Sequence, residues 1–99
     1  MKKRVEFDAD ALRDLLELFD YLEDRFGTTR AAEYTERIRS YCLRLGDFPE
    51  LGRDRGDLEP GLRVIGFERR VLIAYLIQNA TVSVIRILYG GREFGSPPR

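Results

Sequence analysis

Apolar residues recur every three or four positions through two successive stretches near the start of the chain, with charged residues between them. This spacing is typical of amphipathic helices. Gly27 and Gly46 end the stretches, and Asp8 or Asp10 and Thr28 or Thr29 are suited to cap the helix starts. The short link predicts an antiparallel helical hairpin. Its apolar positions are Leu12, Leu15, Leu16, Phe19, Leu22 and Phe26 in the first helix, and Ala31, Tyr34, Ile38, Tyr41, Cys42 and Leu45 in the second.

The remaining segments have the short alternating or β-branched patterns of strands. Lys3 to Phe7 predicts a first strand, whereas prolines and glycines between residues 47 and 61 predict a loop. Three further strands are predicted at Leu62–Phe67, Val71–Gln78 and Thr81–Tyr89, separated by gaps too short for a crossover helix. The expected fold is α+β, a two-helix hairpin packed on an antiparallel sheet in the order β-α-α-β-β-β. We expect one domain over residues 1–99, with a frayed tail at about 94–99.

The last two strands carry apolar residues on both faces. If Asn79 and Ala80 form a two-residue turn, the second face needs a cover, because an antiparallel sheet with one solvated face alternates apolar and polar residues. Either the loop at 47–60 or a partner protein would provide it. One face is expected to hold Val71, Ile73, Tyr75, Ile77, Val82, Val84 and Leu88, and the other Leu72, Ala74, Leu76, Ile85 and Ile87.

Charge is balanced overall but not along the chain. The 17 basic and 17 acidic residues give no net charge, which argues against a general polyanion binder and against sequence-specific DNA binding by this chain alone. Residues 1–50 hold 9 basic and 12 acidic side chains, whereas residues 51–99 hold 8 and 5, so the C-terminal half is basic. No run approaches the roughly 18 apolar residues of a membrane span, and no apolar signal core follows the start. We expect a cytoplasmic protein.

The sequence lacks the residues that several kinds of chemistry require. The chain has no histidine and one cysteine, so mechanisms that need an imidazole, an internal disulfide or a Cys/His metal cluster are excluded. No glycine-rich phosphate-binding pattern occurs, and we expect neither a metal nor a cofactor. Cys42 is predicted to be a small buried hydrophobe. The acidic residues of the first helix, Asp14, Glu17, Asp20 and Glu23, are expected to form a solvated face.

A set of arginines and one tyrosine lies on or beside the predicted strands. Arg63 and Arg86 interrupt apolar patterns, so each must reach the sheet edge or pair with an acid such as Glu68. Structural pairing is one role for each, and a basic surface that holds an RNA phosphate or an acidic protein patch is the alternative. The candidate target-binding residues are Arg63, Arg69, Arg70, Arg86, Tyr89 and Arg92.

Five segments in this order resemble the ParE branch of the RelE/ParE toxins. The likeness runs through nearly the whole chain, and the fold of that family is the β-α-α-β-β-β arrangement expected from periodicity. The segments are Ala11–Leu22, Phe48–Arg53, Gly61–Arg63, Val71–Tyr75 and Val84–Glu93.

The resemblance implies a toxin of a type II toxin–antitoxin pair. Its co-expressed antitoxin would be ParD-like, with a ribbon-helix-helix DNA-binding half and a C-terminal segment that wraps the toxin into a hetero-oligomer. ParE-branch toxins typically poison DNA gyrase, whereas RelE-branch toxins cut messenger RNA on the ribosome. The candidate antitoxin-binding residues are Leu18, Tyr21, Tyr34, Tyr41, Leu72 and Leu76.

Absent residues favour the gyrase inhibitor, which has no catalytic activity of its own. RelE-like nucleases commonly use a Lys/Arg/Tyr set or a Glu and a His, often on a C-terminal helix, and family members often carry His where Tyr89 stands. If the chain is instead a ribosome-dependent ribonuclease, Arg63, Arg86 and Arg92 would hold the scissile phosphate and Tyr89 would stack or transfer a proton. A third alternative is an inactive member that only binds its antitoxin.

Overall fold

Two helices pack on one face of a five-stranded sheet, which confirms the predicted α+β class. The computed structural model describes residues 2–90. The three strands of the predicted meander have the expected bounds, and a further two-residue strand lies in the predicted loop. The elements are β1 Arg4–Phe7, α1 Ala9–Phe26, α2 Thr28–Leu43, a 3-10 turn Arg44–Gly46, β2 Arg53–Asp54, β3 Leu62–Phe67, β4 Val71–Gln78 and β5 Thr81–Tyr89.

The sheet is mixed rather than wholly antiparallel, which corrects one part of the prediction. Its strand order is β1-β5-β4-β3-β2, and β2 to β5 are antiparallel neighbours. β1 runs parallel to β5, with Val5 beside Val82 and Phe7 beside Val84. Short gaps force antiparallel pairing only between consecutive strands. Because almost the whole chain separates β1 from β5, their direction was not constrained in this way.

A bulge interrupts the pairing of β4 with β5. Tyr75 lies opposite Val84 and Ala74 lies opposite Arg86, so Ile85 is an extra residue in β5. An extra residue moves every later side chain of the strand to the other face. The two faces predicted from simple alternation are therefore correct before the bulge and exchanged after it.

Ile87 shows the exchange. It is buried against the helices, although simple alternation placed it on the face away from Val84. Leu88, which simple alternation places on the same face as Val84, lies opposite Leu72 on the outer face. The bulge thus supplies the core with an additional isoleucine and returns Tyr89 to the helix-facing side.

The buried stripe of α1 is displaced from the predicted one. Leu16 is 67% exposed and Leu12 and Phe26 are also exposed, whereas Leu18 is 2% exposed. Two sets of apolar residues in α1 have helical spacing, and periodicity alone does not choose between them. The stripe that faces the core consists of the buried Ala11, Leu18 and Leu22, with Leu15, Phe19 and Tyr21 packed against it, so Leu15, Phe19 and Leu22 lie where the sequence predicts. The α2 stripe follows the prediction, with Ala31, Ile38 and Cys42 buried.

The helices begin near the expected residues without side-chain caps. Asp8 precedes α1, but its carboxylate makes no capping hydrogen bond. Gly27 lies between the helices with φ +92°, the positive φ expected of a terminating glycine. α2 begins directly at Thr28, whose hydroxyl donates to Glu23 over 2.7 Å. The expected threonine cap on α2 is therefore absent.

The outer face of the sheet, turned away from the helices, carries the second set of apolar residues. Leu72 on this face is 41% exposed, and Ala74, Leu76 and Leu88 are half-buried. The loop that follows α2 does not cover Leu72. The buried Tyr75 hydroxyl donates to the carbonyl of Pro49 and accepts from the amide of Gly52, both over 2.8 Å, on the helix side of the sheet.

Candidate partner-binding site

Arg63 fastens the loop after α2 to the edge of the sheet. Its Nη1 donates to the carbonyl oxygen of Gly52 over 2.6 Å and to that of Glu50 over 3.4 Å. Its Nη2 lies 4.0 Å from a carboxylate oxygen of Asp54, and the side chain is 21% exposed. Of the two roles that the sequence predicts, reaching the sheet edge or pairing with an acid such as Glu68, the structure shows the first, and backbone carbonyls are the main acceptors. The guanidinium is thus committed to a structural role.

Arg86 is held by Asp14 of α1. Its Nε and Nη2 donate to the two carboxylate oxygens over 2.8 and 3.0 Å, and this pairing raises the pKa of Arg86. The backbone amide of Ile87 donates to the same carboxylate over 2.8 Å. The Asp14 side chain is 11% exposed, so the solvated role expected from sequence is wrong for this residue.

The turn between β3 and β4 projects basic side chains at one end of the sheet. Glu68 and Arg69 have φ of +50° and +66°, and the amide of Arg70 donates to the carbonyl of Phe67 over 3.2 Å. Positive φ at two successive non-glycine residues is strained. Arg37 of α2 donates to both oxygens of Glu68 over 2.5 and 2.6 Å, which fixes the turn against the helix.

Tyr89 joins a cluster of aromatic rings between the helices and this end of the sheet. Its ring centroid lies 5.7 Å from that of Tyr21 and 6.4 Å from that of Tyr34. Phe67 extends the cluster, 6.1 Å from Tyr34 and 5.1 Å from Tyr41. Tilted and edge-on contacts at these distances stabilise aromatic clusters. Two of the predicted antitoxin-binding tyrosines, Tyr21 and Tyr34, therefore contact Tyr89, and the third, Tyr41, joins the cluster through Phe67.

A cavity of about 380 Å³ opens beside this cluster, and we call it the arginine–tyrosine pocket. Burial, reinforced by Glu68, raises the pKa of Tyr34, whereas Arg37 and Arg70 act to lower it. Arg30 and Arg70 form no ion pair within residues 2–90. The lining residues are Leu22, Phe26, Arg30, Glu33, Tyr34, Arg37, Glu68, Arg70 and Tyr89.

The pocket gathers some predicted site residues and leaves others apart. Arg70 and Tyr89 line it, and Arg69 lies in the adjoining turn. In the strand register, Arg63 of β3 lies opposite Tyr75 of β4. Tyr89 of β5 lies opposite Val71, which is four residues before Tyr75 on β4. Arg63 and Tyr89 are thus separated by about 13 Å along the strands and about 10 Å across them. Arg92 lies outside the described residues.

Phe26 and Arg30 are among the lining residues that the sequence did not indicate as site residues. Phe26 had been placed in the core stripe of α1, but it is exposed at the mouth of the pocket. Arg30 stands in the first turn of α2 with no neighbouring feature that marks it in the sequence. The one feature of the sequence that could have indicated a role for Arg30 is its positive charge near the start of a helix, where the helix dipole disfavours a cation.

The remaining predicted antitoxin contacts divide between core and surface. Leu18 is buried between the helices and the sheet, so its side chain belongs to the core and is unavailable to a partner. Leu72 and Leu76 lie on the outer face of the sheet, where Leu72 is exposed and Leu76 half-buried.

Cys42 matches its prediction as a buried hydrophobe, and burial raises the pKa of its thiol to about 12. The thiolate is therefore scarce at neutral pH. Within residues 2–90, no group of His, Cys, Asp or Glu side chains is placed to hold a metal ion. No helix in this range is long and apolar enough to span a membrane.

Known proteins resemble this chain in sequence. Residues 5–94 match the family model described as the ParE toxin of the type II toxin–antitoxin system parDE. Toxin ParE3 of Caulobacter vibrioides is 38% identical over 77 residues, which cover 78% of this chain and 76% of the relative. Toxin ParE1 of Mycobacterium tuberculosis is 26% identical over 89 residues, covering 90% of this chain and 91% of the relative.

Solved structures share the fold. A chain in the structure of the chromosomal ParDE system from P. aeruginosa aligns with a TM-score of 0.77 at 19% identity, covering 89% of this chain and 96% of that chain. A hypothetical protein of Helicobacter pylori aligns with a TM-score of 0.55 at 15% identity, covering 93% and 99%. From the family match and the sequence relatives together, the chain belongs to the ParE toxins of type II toxin–antitoxin systems.

Proposed function

We propose that this ParE-family toxin acts in the cytoplasm by binding DNA gyrase and inhibiting it, without catalytic activity of its own. Binding is favoured over catalysis because Arg63 and Arg86 are both engaged in contacts inside the fold. A ribonuclease would need such guanidiniums to hold the scissile phosphate. Here they hold the loop after α2 and the end of β5.

Releasing either arginine for phosphate binding would break contacts inside the fold. Arg63 would leave two backbone carbonyls, and Arg86 would leave the little-exposed carboxylate of Asp14. Hydrogen bonds to charged groups contribute about 1.5–3 kcal/mol, so such release is costly. Tyr89 is also remote from Arg63, which further separates the residues that a nuclease would bring together.

We further propose that a co-expressed, ParD-like antitoxin neutralises the toxin by covering its exposed apolar surface. Leu72 is exposed on the outer sheet face, and Leu12 and Leu16 are exposed on α1. Exposed leucines of this kind mark protein interfaces when they form patches. A segment that follows a ribbon-helix-helix domain would cover them in a toxin–antitoxin hetero-oligomer.

A supercoiling assay tests the target. Purified toxin added to gyrase, relaxed plasmid and ATP should inhibit supercoiling, and equimolar antitoxin should restore it. Antitoxin alone is the control. If gyrase keeps its full activity at high toxin excess while messenger RNA is cut in a translating extract, the proposal is wrong.

Growth assays separate the remaining alternatives. Expression without antitoxin should arrest growth, which an inactive family member would not do. A Tyr89→Phe variant should remain toxic, because a gyrase inhibitor needs no proton transfer from that hydroxyl. Loss of toxicity on removal of this one oxygen, with the fold intact, would favour the ribonuclease.

A further inference from the structure

The arginine–tyrosine pocket combines an apolar floor with a basic rim. The rings of Tyr34 and Tyr89 meet at its base, and Phe26 is exposed beside them. Arg30 comes from the start of α2, whereas Arg70 comes from the turn between β3 and β4. The pocket therefore presents aromatic surface and guanidinium groups from separate elements to the same volume.

The charges of the lining do not cancel. Arg37 and Glu68 form an ion pair in which Nη2 donates to both carboxylate oxygens, so their charges offset each other. Among residues 2–90, the remaining ionic residues of the lining are Arg30, Arg70 and Glu33, which leave an excess of one positive charge. Guanidinium groups bind carboxylates through paired hydrogen bonds. An occupant that brings a carboxylate beside an apolar side chain would use both parts of the pocket.

A protein segment fits these features better than a nucleic acid. The chain carries no net charge, and Glu33 in the lining would repel successive phosphates. An apolar anchor flanked by a carboxylate presents its charge at one point. Aromatic and arginine residues around a desolvated pocket are also typical of energetic centres in protein interfaces.

We propose that the arginine–tyrosine pocket receives an acidic segment of the antitoxin, with an aromatic or aliphatic side chain on the ring floor and an adjacent carboxylate on Arg30 and Arg70. This inference rests on the proposed neutralisation by an antitoxin. Arg70 stands two residues before Leu72, so a segment that covers the outer sheet face reaches the pocket by crossing the β3–β4 turn. The pocket thus continues the proposed antitoxin surface.

Charge reversal tests the pocket in the full-length toxin. Arg30→Glu and Arg70→Glu should each weaken binding of the purified antitoxin by about tenfold or more in titration calorimetry, with a smaller difference at high salt. Arg53→Glu is the matched control, because Arg53 is exposed in the edge strand β2 and does not line the pocket. Its affinity should stay within about twofold of wild type. Equal melting temperatures would show that the variants fold.

A compensating change in the antitoxin makes the assignment specific. An acid-to-arginine substitution in its toxin-binding segment should restore binding to Arg70→Glu and weaken binding to the wild type. If both pocket variants bind the antitoxin as tightly as the wild-type toxin does, the antitoxin does not occupy the pocket, but the proposed function still stands. Failure of the wild type to bind any antitoxin would overturn both.

Two further outcomes would assign the pocket elsewhere and overturn the proposal. Loss of gyrase inhibition by the pocket variants, with normal antitoxin binding, would assign it to the target. A wild-type dimer that dissociates on Arg70→Glu substitution in sedimentation measurements, again with normal antitoxin binding, would assign it to a second copy of this chain.

Discussion

Asp14 takes the position beside β5 that a neighbouring strand would otherwise occupy. β1 ends at Phe7, opposite Val84, and the later amide of Ile87 donates to the Asp14 carboxylate. The same carboxylate binds the guanidinium of Arg86. One side chain of α1 therefore satisfies both the strand edge and the arginine that follows the bulge.

Removing this carboxylate should destabilise the fold. Asp14→Ala leaves the Ile87 amide without its acceptor and releases Arg86, and we expect the free energy of unfolding to fall by about 1–2 kcal/mol. The partly exposed Arg86 limits the loss. Urea denaturation followed by circular dichroism measures it.

Asp10→Ala is the matched control for Asp14→Ala. Asp10 also lies on α1 and pairs with an arginine, Arg13, over 3.2 Å, but both side chains are well exposed. Its removal should change the unfolding free energy by less than about 1 kcal/mol, most of it from the loss of a carboxylate in the first turn of α1, where the helix dipole favours negative charge. Equal effects of the two substitutions would contradict the structural role of Asp14.

Helix α1 carries two sets of apolar residues at helical spacing, and only one set faces the core. Its exposed leucines, Leu12 and Leu16, and its buried ones, Leu18 and Leu22, all fit helical spacing. Ala11 is fully buried, and its small side chain permits close packing on this side of the helix. The rotation of α1 about its axis is therefore a property of the packed molecule.

Two alanine substitutions on α1, compared by their effects on stability, test which side of the helix faces the core. Leu18→Ala removes a side chain that is 2% exposed and should lower the free energy of unfolding by about 2–5 kcal/mol. Leu16→Ala removes the same atoms from a side chain that is 67% exposed and should cost less than about 0.5 kcal/mol. Similar losses, measured by urea denaturation, would contradict the observed orientation.

At the scale of the fold described by residues 2–90, the helices cover one face of the sheet and leave the other available. Leu72 belongs to the outer face, and Arg70 leads from it to the arginine–tyrosine pocket. The proposed antitoxin interface would thus extend across two sides of the toxin. Such a wrapped arrangement buries more surface than a single groove and suits a segment that orders on binding.

The outer face should contribute to antitoxin affinity and little to folding. Leu72→Glu should keep the melting temperature close to that of the wild type and weaken antitoxin binding by about tenfold or more, because it places a charge in an apolar contact. Leu58→Glu, an exposed leucine in the loop before β3, is the control and should bind normally. Both affinities are measured by titration calorimetry. Full affinity of Leu72→Glu would exclude this face from the interface.

Local patterns in the sequence were sufficient for the two helices and the four longer strands, though not for the two-residue β2, and for their arrangement as a hairpin on a sheet. The bounds of β3, β4 and β5 followed from β-branched and aromatic runs, and Gly27 marked the division between the helices. These features depend on residues close together in the chain. The toxin family was likewise recognisable from the ordered segments that resemble ParE, and Cys42 was correctly assigned to the core.

Relations between distant residues required the folded structure. The parallel pairing of β1 with β5, the extra residue at Ile85 and the rotation of α1 depend on how separate elements meet. The partners of Arg63 and Arg86, and the placement of Arg30 and Arg70 in one pocket, also depend on residues far apart in sequence. Periodicity describes which side of an element is apolar, but contacts across space determine which charges remain available to a partner.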